Sequence, residues 1–324
     1  VDRLHIAVDP RLELLMAVQS SVSDYSKHGP LAHTSFPYLD EAFDLARRHE
    51  RDPAVALWRA LCADGFTFDA PVTFALWHSP PPEFEPSAEY SPYLVRRAKG
   101  AERLHRFAAA LRGFAVTADF RGFLGRWRPQ FGDFEAQARS VITADWPAQL
   151  DAYAGRPKTE FRVLLAPLSG GSYGTGVGGV AHSVVAPSWT TAGPRFDDLG
   201  HMRYLVLHEG AHDFVNEAIF GVARELEASA RLLEPIAARM ADQAYPRWIT
   251  AICEHVVRAV VARLADDPEP VLAEEEGRGF IHIRPVFTAL AEYEARRSQY
   301  PDFRAFGPRL AEVFLRLAEE AGVQ

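Results

Sequence analysis

The segment His208-Glu209-Gly210-Ala211-His212 carries two histidines four residues apart, with a glutamate directly after the first. It fits H-E-x-x-H and lies inside residues 202–220, where Leu205, Leu207, Ala211, Phe214 and Val215 recur at helical spacing. On a helix, residues four apart stand one turn above each other, so both imidazoles can reach one tetrahedral zinc ion at roughly 2.0 to 2.1 Å. The chemistry this arrangement suits is hydrolysis. Water is a poor nucleophile until a metal lowers its pKa, and a carboxylate must then accept its proton and pass it to the leaving group. Glu209 is the candidate for that general base. Gly210 points the same way, because a glycine inside a helix costs about 1 kcal/mol relative to alanine. Close approach of a sheet or a substrate would account for it.

Two imidazoles alone hold zinc weakly, so a third protein ligand is expected, one that leaves the fourth position open to water and substrate. Glu254 is the first choice. It sits with His255 and Arg258 in an otherwise apolar helical run, 248–259. Glu254 and Arg258 share a face flanked by Ala251 and Val261, where a carboxylate would be costly to bury without a cation. The plain alternative is an intrahelical Glu-Arg pair on a solvated face. Glu234 is the main competitor, as a carboxylate some way past the second histidine, but Pro235 and the polar run around it favour a surface helix. Glu225 and Glu227 rank below it.

Further candidates surround these. His255 is placed either to orient a carboxylate or polarise a substrate carbonyl, or simply to pack, and Arg258 to fix Glu254 from behind. Asp213 and Asn216 follow the motif closely enough to orient an imidazole N–H. The segment 169–179 is rich in glycine; Gly170 and Gly171 would let backbone approach a bound substrate, and Tyr173, His282 and Tyr300 are alternative donors to an oxyanion. The sequence does not choose among the three.

The elements that must position these residues change character along the chain. The first half reads as helical: a short strand at 5–8, Asp9-Pro10 as N-cap and first helical position, then helices expected near 38–49, 53–63, 93–111 and 131–153. The proline-rich stretch 79–92 is a loop. From about residue 160 two strands, 161–165 and 180–185, are expected to form a hairpin across the glycine-rich connection, followed by helices near 199–219, 222–244, 247–265, 283–297 and 303–320. The fold class expected is α+β and zincin-like, mostly helical with a small mixed sheet. A helical N-terminal lobe, 1–158, and a catalytic lobe, 159–324, would form one integrated unit.

Composition limits the partners. With 35 basic against 43 acidic residues and a net charge of -8, the chain has no basic block to follow a phosphate backbone, so nucleic acid is not an expected partner. Cys62 and Cys253 sit in apolar helical contexts that suit free thiols. No run approaches the roughly 20 apolar residues of a membrane span. Cytoplasmic residence and export with a removed signal both stay open.

Taken together, these residues resemble the bacterial family of unknown function called DUF4932. The likeness is carried by 9–15 near the start, Phe68-Asp69-Ala70-Pro71, Pro167-Leu168, the zinc motif with Phe214 and Asn216, the run Glu254-His255-Val256-Val257-Arg258-Ala259, and Tyr293, Arg297 and Tyr300-Pro301. Members of that family look like gluzincin-type metallopeptidases. The resemblance implies Zn2+ as cofactor, Glu254 as third ligand, structural or site roles for Glu13 and Arg258, and a peptide or protein as substrate. A zinc-stabilised binding or scaffold protein that keeps the ligands without turnover is the rival expectation.

Overall fold

The computed structural model describes residues 3–20, 36–158 and 160–322. Two compact units divide the chain, one built from residues up to 144 together with 160–206, the other from 145–158 together with 207 onward. The fold is α+β, mostly helical with a small mixed sheet. No helix among the described residues is long and apolar enough to cross a membrane.

The first unit begins with β1 (Leu4–Val8), then α1 (Pro10–Gln19), α2 (Pro37–Arg48), α3 (Pro53–Ala63), α4 (Asp69–Leu76), α5 (Pro92–Ala98), α6 (Ala101–Thr117) and α7 (Phe120–Val141). After α8 (Asp145–Ala154), which belongs to the second unit, come β2 (Phe161–Leu165), β3 (Tyr173–Val177), β4 (Val180–Val185), β5 (Ser188–Thr190), β6 (Gly193–Arg195) and the start of α9 (Leu199–Gly221). Proline stands in the first turn of α1, α2, α3 and α5, where its missing N–H costs nothing. Asp9, Asp52 and Ser91 cap α1, α3 and α5 by accepting from backbone N–H groups.

Three expected helices are interrupted. The run expected over 93–111 breaks at Lys99 and Gly100, both at positive φ (58° and 139°), where Gly100 N–H closes back on Val95 O at 2.9 Å. The run over 131–153 is the end of a longer α7, a break at 142–144, and α8. The run over 222–244 is α10 (Ala223–Leu226), a 3-10 segment (Glu227–Ile236) containing Pro235, and α11 (Ala237–Asp242).

The sheet also departs from expectation. Its order is β1-β2-β4-β3, and β2 and β4 run parallel, Phe161 beside Ala181 and Leu165 beside Val185, so they do not form a hairpin. The hairpin is β3-β4, formed within the glycine-rich segment itself. Gly178 and Gly179, at φ 61° and 80°, form its two-residue turn, a left-handed geometry open to glycine at both positions. Parallel strands bury both faces, which is why Val163-Leu164-Leu165 and Val184-Val185 are apolar runs and not alternations.

Helix α1 is buried along almost its whole length, and Glu13 lies within it with no solvent access. Tyr38 donates its hydroxyl to Glu13 Oε2. Burial, against that hydrogen bond, pushes the Glu13 carboxyl up to about 8.

The second unit adds α12 (Trp248–Arg263), α13 (Pro268–Gly277), α14 (Ile283–Ala295) and α15 (Phe303–Glu320). Every residue of α12 from Ala251 to Ala262 is buried, so this helix is enclosed on all sides. Helix α15 meets α9 closely at Gly307, where an added Cβ would lie 2.9 Å from Ala218 O. Lys158 reaches Asp213 at 2.5 Å, and Phe214 packs edge-on against Phe303 with centroids 5.1 Å apart. These contacts fix the part of α9 that carries the histidines.

Because Glu13 holds a proton to about pH 8 when folded and to about 4.5 when unfolded, the folded state binds the extra proton between these values and loses stability as pH rises through that window. Glu13→Gln removes the titration. Its melting temperature is therefore expected to gain on that of the wild type on going from pH about 5 to about 8.5; a gap that stays constant would show that Glu13 does not titrate in this range.

Candidate metal centre

Helix α9 starts at the Asp198 cap, whose carboxylate accepts from His201 N–H at 3.0 Å. Two turns on, His208, Glu209, Gly210 and Ala211 are buried and His212 is partly exposed. The His208 and His212 rings stand 5.0 Å apart at an interplanar angle of 79°, the one-turn offset their spacing imposes.

Glu254, from the middle of α12, closes the group. Its Oε2 lies 3.5 Å from His208 Nε2 and its Oε1 3.4 Å from His212 Nε2. All three donor atoms fall within 4.8 Å of one another, and the group could hold a metal ion. A charge-assisted hydrogen bond between an imidazole and a carboxylate would draw the atoms to about 2.7 to 2.9 Å. The wider spacing is that of donors arranged around a shared point, and two nitrogens with one carboxylate oxygen is a donor set suited to a divalent ion.

Protonation favours the same state. Burial lowers the His208 imidazole to about 3, so it is neutral near pH 7 and offers a lone pair. Burial alone would raise Glu254, but the Arg258 charge, with the two histidines, outweighs it and holds the carboxyl well below the usual range. Asn216 Oδ1 lies 3.3 Å from His212 Nδ1. An amide oxygen only accepts, so this contact keeps the ring proton on Nδ1 and leaves Nε2 facing Glu254.

Arg258 is itself buried. Its Nη1 donates to Glu254 Oε2, its Nε donates to Glu275 Oε2 at 2.9 Å, and its guanidinium lies over the Phe280 ring at 3.9 Å. The solvated Glu-Arg face is thus excluded: the pair exists at four-residue spacing, but inside the core. Glu234 is exposed and paired with Arg231 at 3.2 Å, while Glu225 and Glu227 are exposed too.

The remaining candidates divide. His255 is fully buried, with Nδ1 at 2.7 Å from Ala251 O and its ring packed between Phe280 and His282, at centroid distances of 5.1 and 5.4 Å. His282 Nε2 lies 3.5 Å from Leu232 O, and the Tyr300 hydroxyl accepts from Gln299. Asp213 pairs with Lys158 and with no histidine nitrogen. Tyr173 sits in β3 opposite Val184, with Gly170 and Gly171 in the connection before it, all in the first unit.

Two residues escaped the sequence reading. Glu275 reads as part of an acidic run on α13, yet it is buried along with Leu272 three residues earlier, a one-face spacing that could have been seen. Tyr245 follows Ala244, which takes a left-handed φ of 71°, and its ring lies 5.7 Å from the Arg258 guanidinium. Burial, then the Glu254 charge, raises the Tyr245 phenol. No pattern in the sequence marks it.

A family model for a domain of unknown function, DUF4932, matches residues 4–313. The chain belongs to the DUF4932 family. The match takes in the whole of the His-His-Glu group and most of each compact unit, so the site residues described above lie inside the DUF4932 domain. Neither the curated proteins nor the solved structures provide a match.

A divalent ion that binds only the folded state raises stability by RT ln(1 + [L]/Kd), about 2.7 kcal/mol at a hundredfold excess over Kd. Melting curves with and without added metal are expected to separate for the wild type and for Glu234→Ala, and to coincide for His208→Ala and Glu254→Ala. A shift that survives Glu254→Ala but vanishes in Glu234→Ala would move the third ligand to the other carboxylate.

Proposed function

We propose that the protein is a zinc-dependent hydrolase, a metallopeptidase of the gluzincin type with a zincin-like fold, that cleaves peptide bonds with His208, His212 and Glu254 as zinc ligands and Glu209 as general base. The observation that carries this reading is the convergence of three donors from two helices, with a buried carboxylate one residue past the first histidine. Tetrahedral zinc with ligands at roughly 2.0 to 2.2 Å spaces them about 3.3 to 3.6 Å apart. The separations of His208 Nε2 from Glu254 Oε2, 3.5 Å, and of His212 Nε2 from Glu254 Oε1, 3.4 Å, are of that size, each measured to a different oxygen of the carboxylate.

Zinc, when bound, supplies Lewis acidity that activates water and polarises an amide carbonyl. The chain's own residues do the rest. Glu209 accepts the proton from the attacking water and delivers it to the departing amine. Arg258 keeps Glu254 ionised, so that a ligand oxygen is available without prior loss of a proton. Asn216 fixes the His212 ring in the tautomer that presents Nε2. The substrate we assign is a peptide or protein segment, whose amide bond a metal-activated water and an adjacent carboxylate base can cleave together.

Glu209→Gln keeps the size of the side chain and removes the base. The variant is expected to retain zinc by metal analysis and to lose cleavage of a peptide library by roughly 10²- to 10⁴-fold. Equal cleavage by both proteins would remove Glu209 from the base role. Stoichiometric zinc with no cleavage by the wild type would instead favour a zinc-stabilised scaffold.

A further inference from the structure

The turn between α11 and α12 sets a tyrosine beside the counter-ion of the proposed third ligand. Ala244 N–H donates to Ala241 O at 3.0 Å and Tyr245 N–H to Met240 O at 2.7 Å, which ends α11 with Ala244 at φ 71°, a conformation usually left to glycine. The Tyr245 ring then lies 5.7 Å from the Arg258 guanidinium and 6.3 Å from the Phe280 ring. Arg258 also donates through Nη1 to Glu254 Oε2. The same guanidinium therefore serves the ligand carboxylate and flanks the tyrosine.

The Tyr245 hydroxyl oxygen accepts from Arg258, and a hydroxyl has a hydrogen of its own to donate. No acceptor takes that hydrogen among the described residues. Burial first, then the Glu254 charge and, less strongly, the Glu209 charge raise the phenol, so it holds its hydrogen and lies within range of both the third ligand and the base. Glu254, Arg258 and Glu209 are buried, whereas Tyr245 is half-buried and is the member of this set that a substrate meets most readily. The other donors weighed in the second unit are placed elsewhere: His255 against Ala251 O in the core, His282 toward Leu232 O, and Tyr300 beside Gln299 and Glu292.

When water adds to an amide, the π pair of the C=O bond moves onto oxygen; it returns as the C–N bond breaks and the amine takes its proton from Glu209. A donor aimed at that oxygen stabilises the charge while it lasts, and does so most where water is excluded. We propose that Tyr245 is a catalytic residue, whose hydroxyl donates a hydrogen bond to the carbonyl oxygen of the scissile peptide bond as negative charge gathers there. This rests on the hydrolase reading above and deepens it by naming the donor. A tyrosine that only packs against Arg258 and Phe280 would leave the rate indifferent to its hydroxyl.

Tyr245→Phe keeps the ring and removes the hydroxyl. The measurements are zinc content, melting temperature, kcat and KM for a peptide that the wild type cleaves, and Kd for a phosphinic analogue of that peptide, whose tetrahedral phosphorus and anionic oxygens replace the scissile carbonyl. Zinc content and melting temperature are expected to stay near those of the wild type. KM is expected to change by less than about threefold and kcat to fall on the order of 10²- to 10³-fold, with the phosphinic peptide bound more weakly by a comparable factor. A kcat within about threefold of the wild type, a raised KM at unchanged kcat, or a fall in rate matched by loss of zinc overturns the assignment. A chain carrying a ring-fluorinated tyrosine at position 245 gives a check that keeps the hydroxyl: its fluorine resonance is expected to shift when the phosphinic peptide is added, and an unmoved resonance also overturns the assignment. A zinc-loaded wild type that cleaves nothing fails the hydrolase reading before any variant is compared, whereas a cleaving wild type matched by Tyr245→Phe fails this inference alone.

Discussion

A carboxylate in a helix that is buried on every side has lost its hydration and must replace it from neighbouring groups. Glu254 does so with Arg258 on one side, and on the other it faces the Nε2 atoms of two imidazoles with which it forms the candidate metal group. Each replacement imposes a further demand. The guanidinium is itself dehydrated and draws in Glu275 and the face of Phe280, and the imidazoles must stand one turn apart on a second helix, held by Lys158, Phe303 and Gly307. The packing of the second unit follows from supplying a charged group with partners where water does not reach.

The first unit meets the same kind of demand by the opposite route. Glu13, also inside a helix buried along nearly its whole length, has one phenolic donor and no cation among its hydrogen-bond partners in the described residues, and its carboxyl is pushed up to about 8. Two buried glutamates thus end in different charge states. The largest difference is a guanidinium four residues along the same helix, present for Glu254 and absent for Glu13, whose fourth neighbour is Ala17. Burial alone therefore does not say whether a carboxyl is an anion.

Much of this could be read from residue order. The two histidines and the glutamate between them declare a helix face, and the breadth of the apolar run around Glu254 signals a helix with no solvated side. The Asp9-Pro10 pair places the start of α1 to the residue. What was misread has a common cause, namely partners far away in sequence. Strands 161–165 and 180–185 look like a hairpin because they are near neighbours along the chain, yet their unbroken apolar runs fit parallel strands with both faces covered. Glu275 stands in a run of three glutamates, where its spacing from Leu272 is the one local sign of an inward side chain and the partner it meets, Arg258, lies on another helix. Tyr245 depends on a left-handed alanine that local propensity disfavours.

The order of segments in the two units carries a consequence for how such a chain can arise and be made. Residues 145–158 go with the second unit yet precede β2, β3 and β4 of the first, and β1 must wait for Phe161 before it has a strand beside it. During synthesis the N-terminal helices emerge long before the sheet can be completed, a topology rich in distant pairings that slows folding. No single cut yields either unit intact, so shuffling of contiguous gene segments could neither have joined two finished halves nor can it now exchange one of them. The polypeptide has to be inherited, and to change, as a whole.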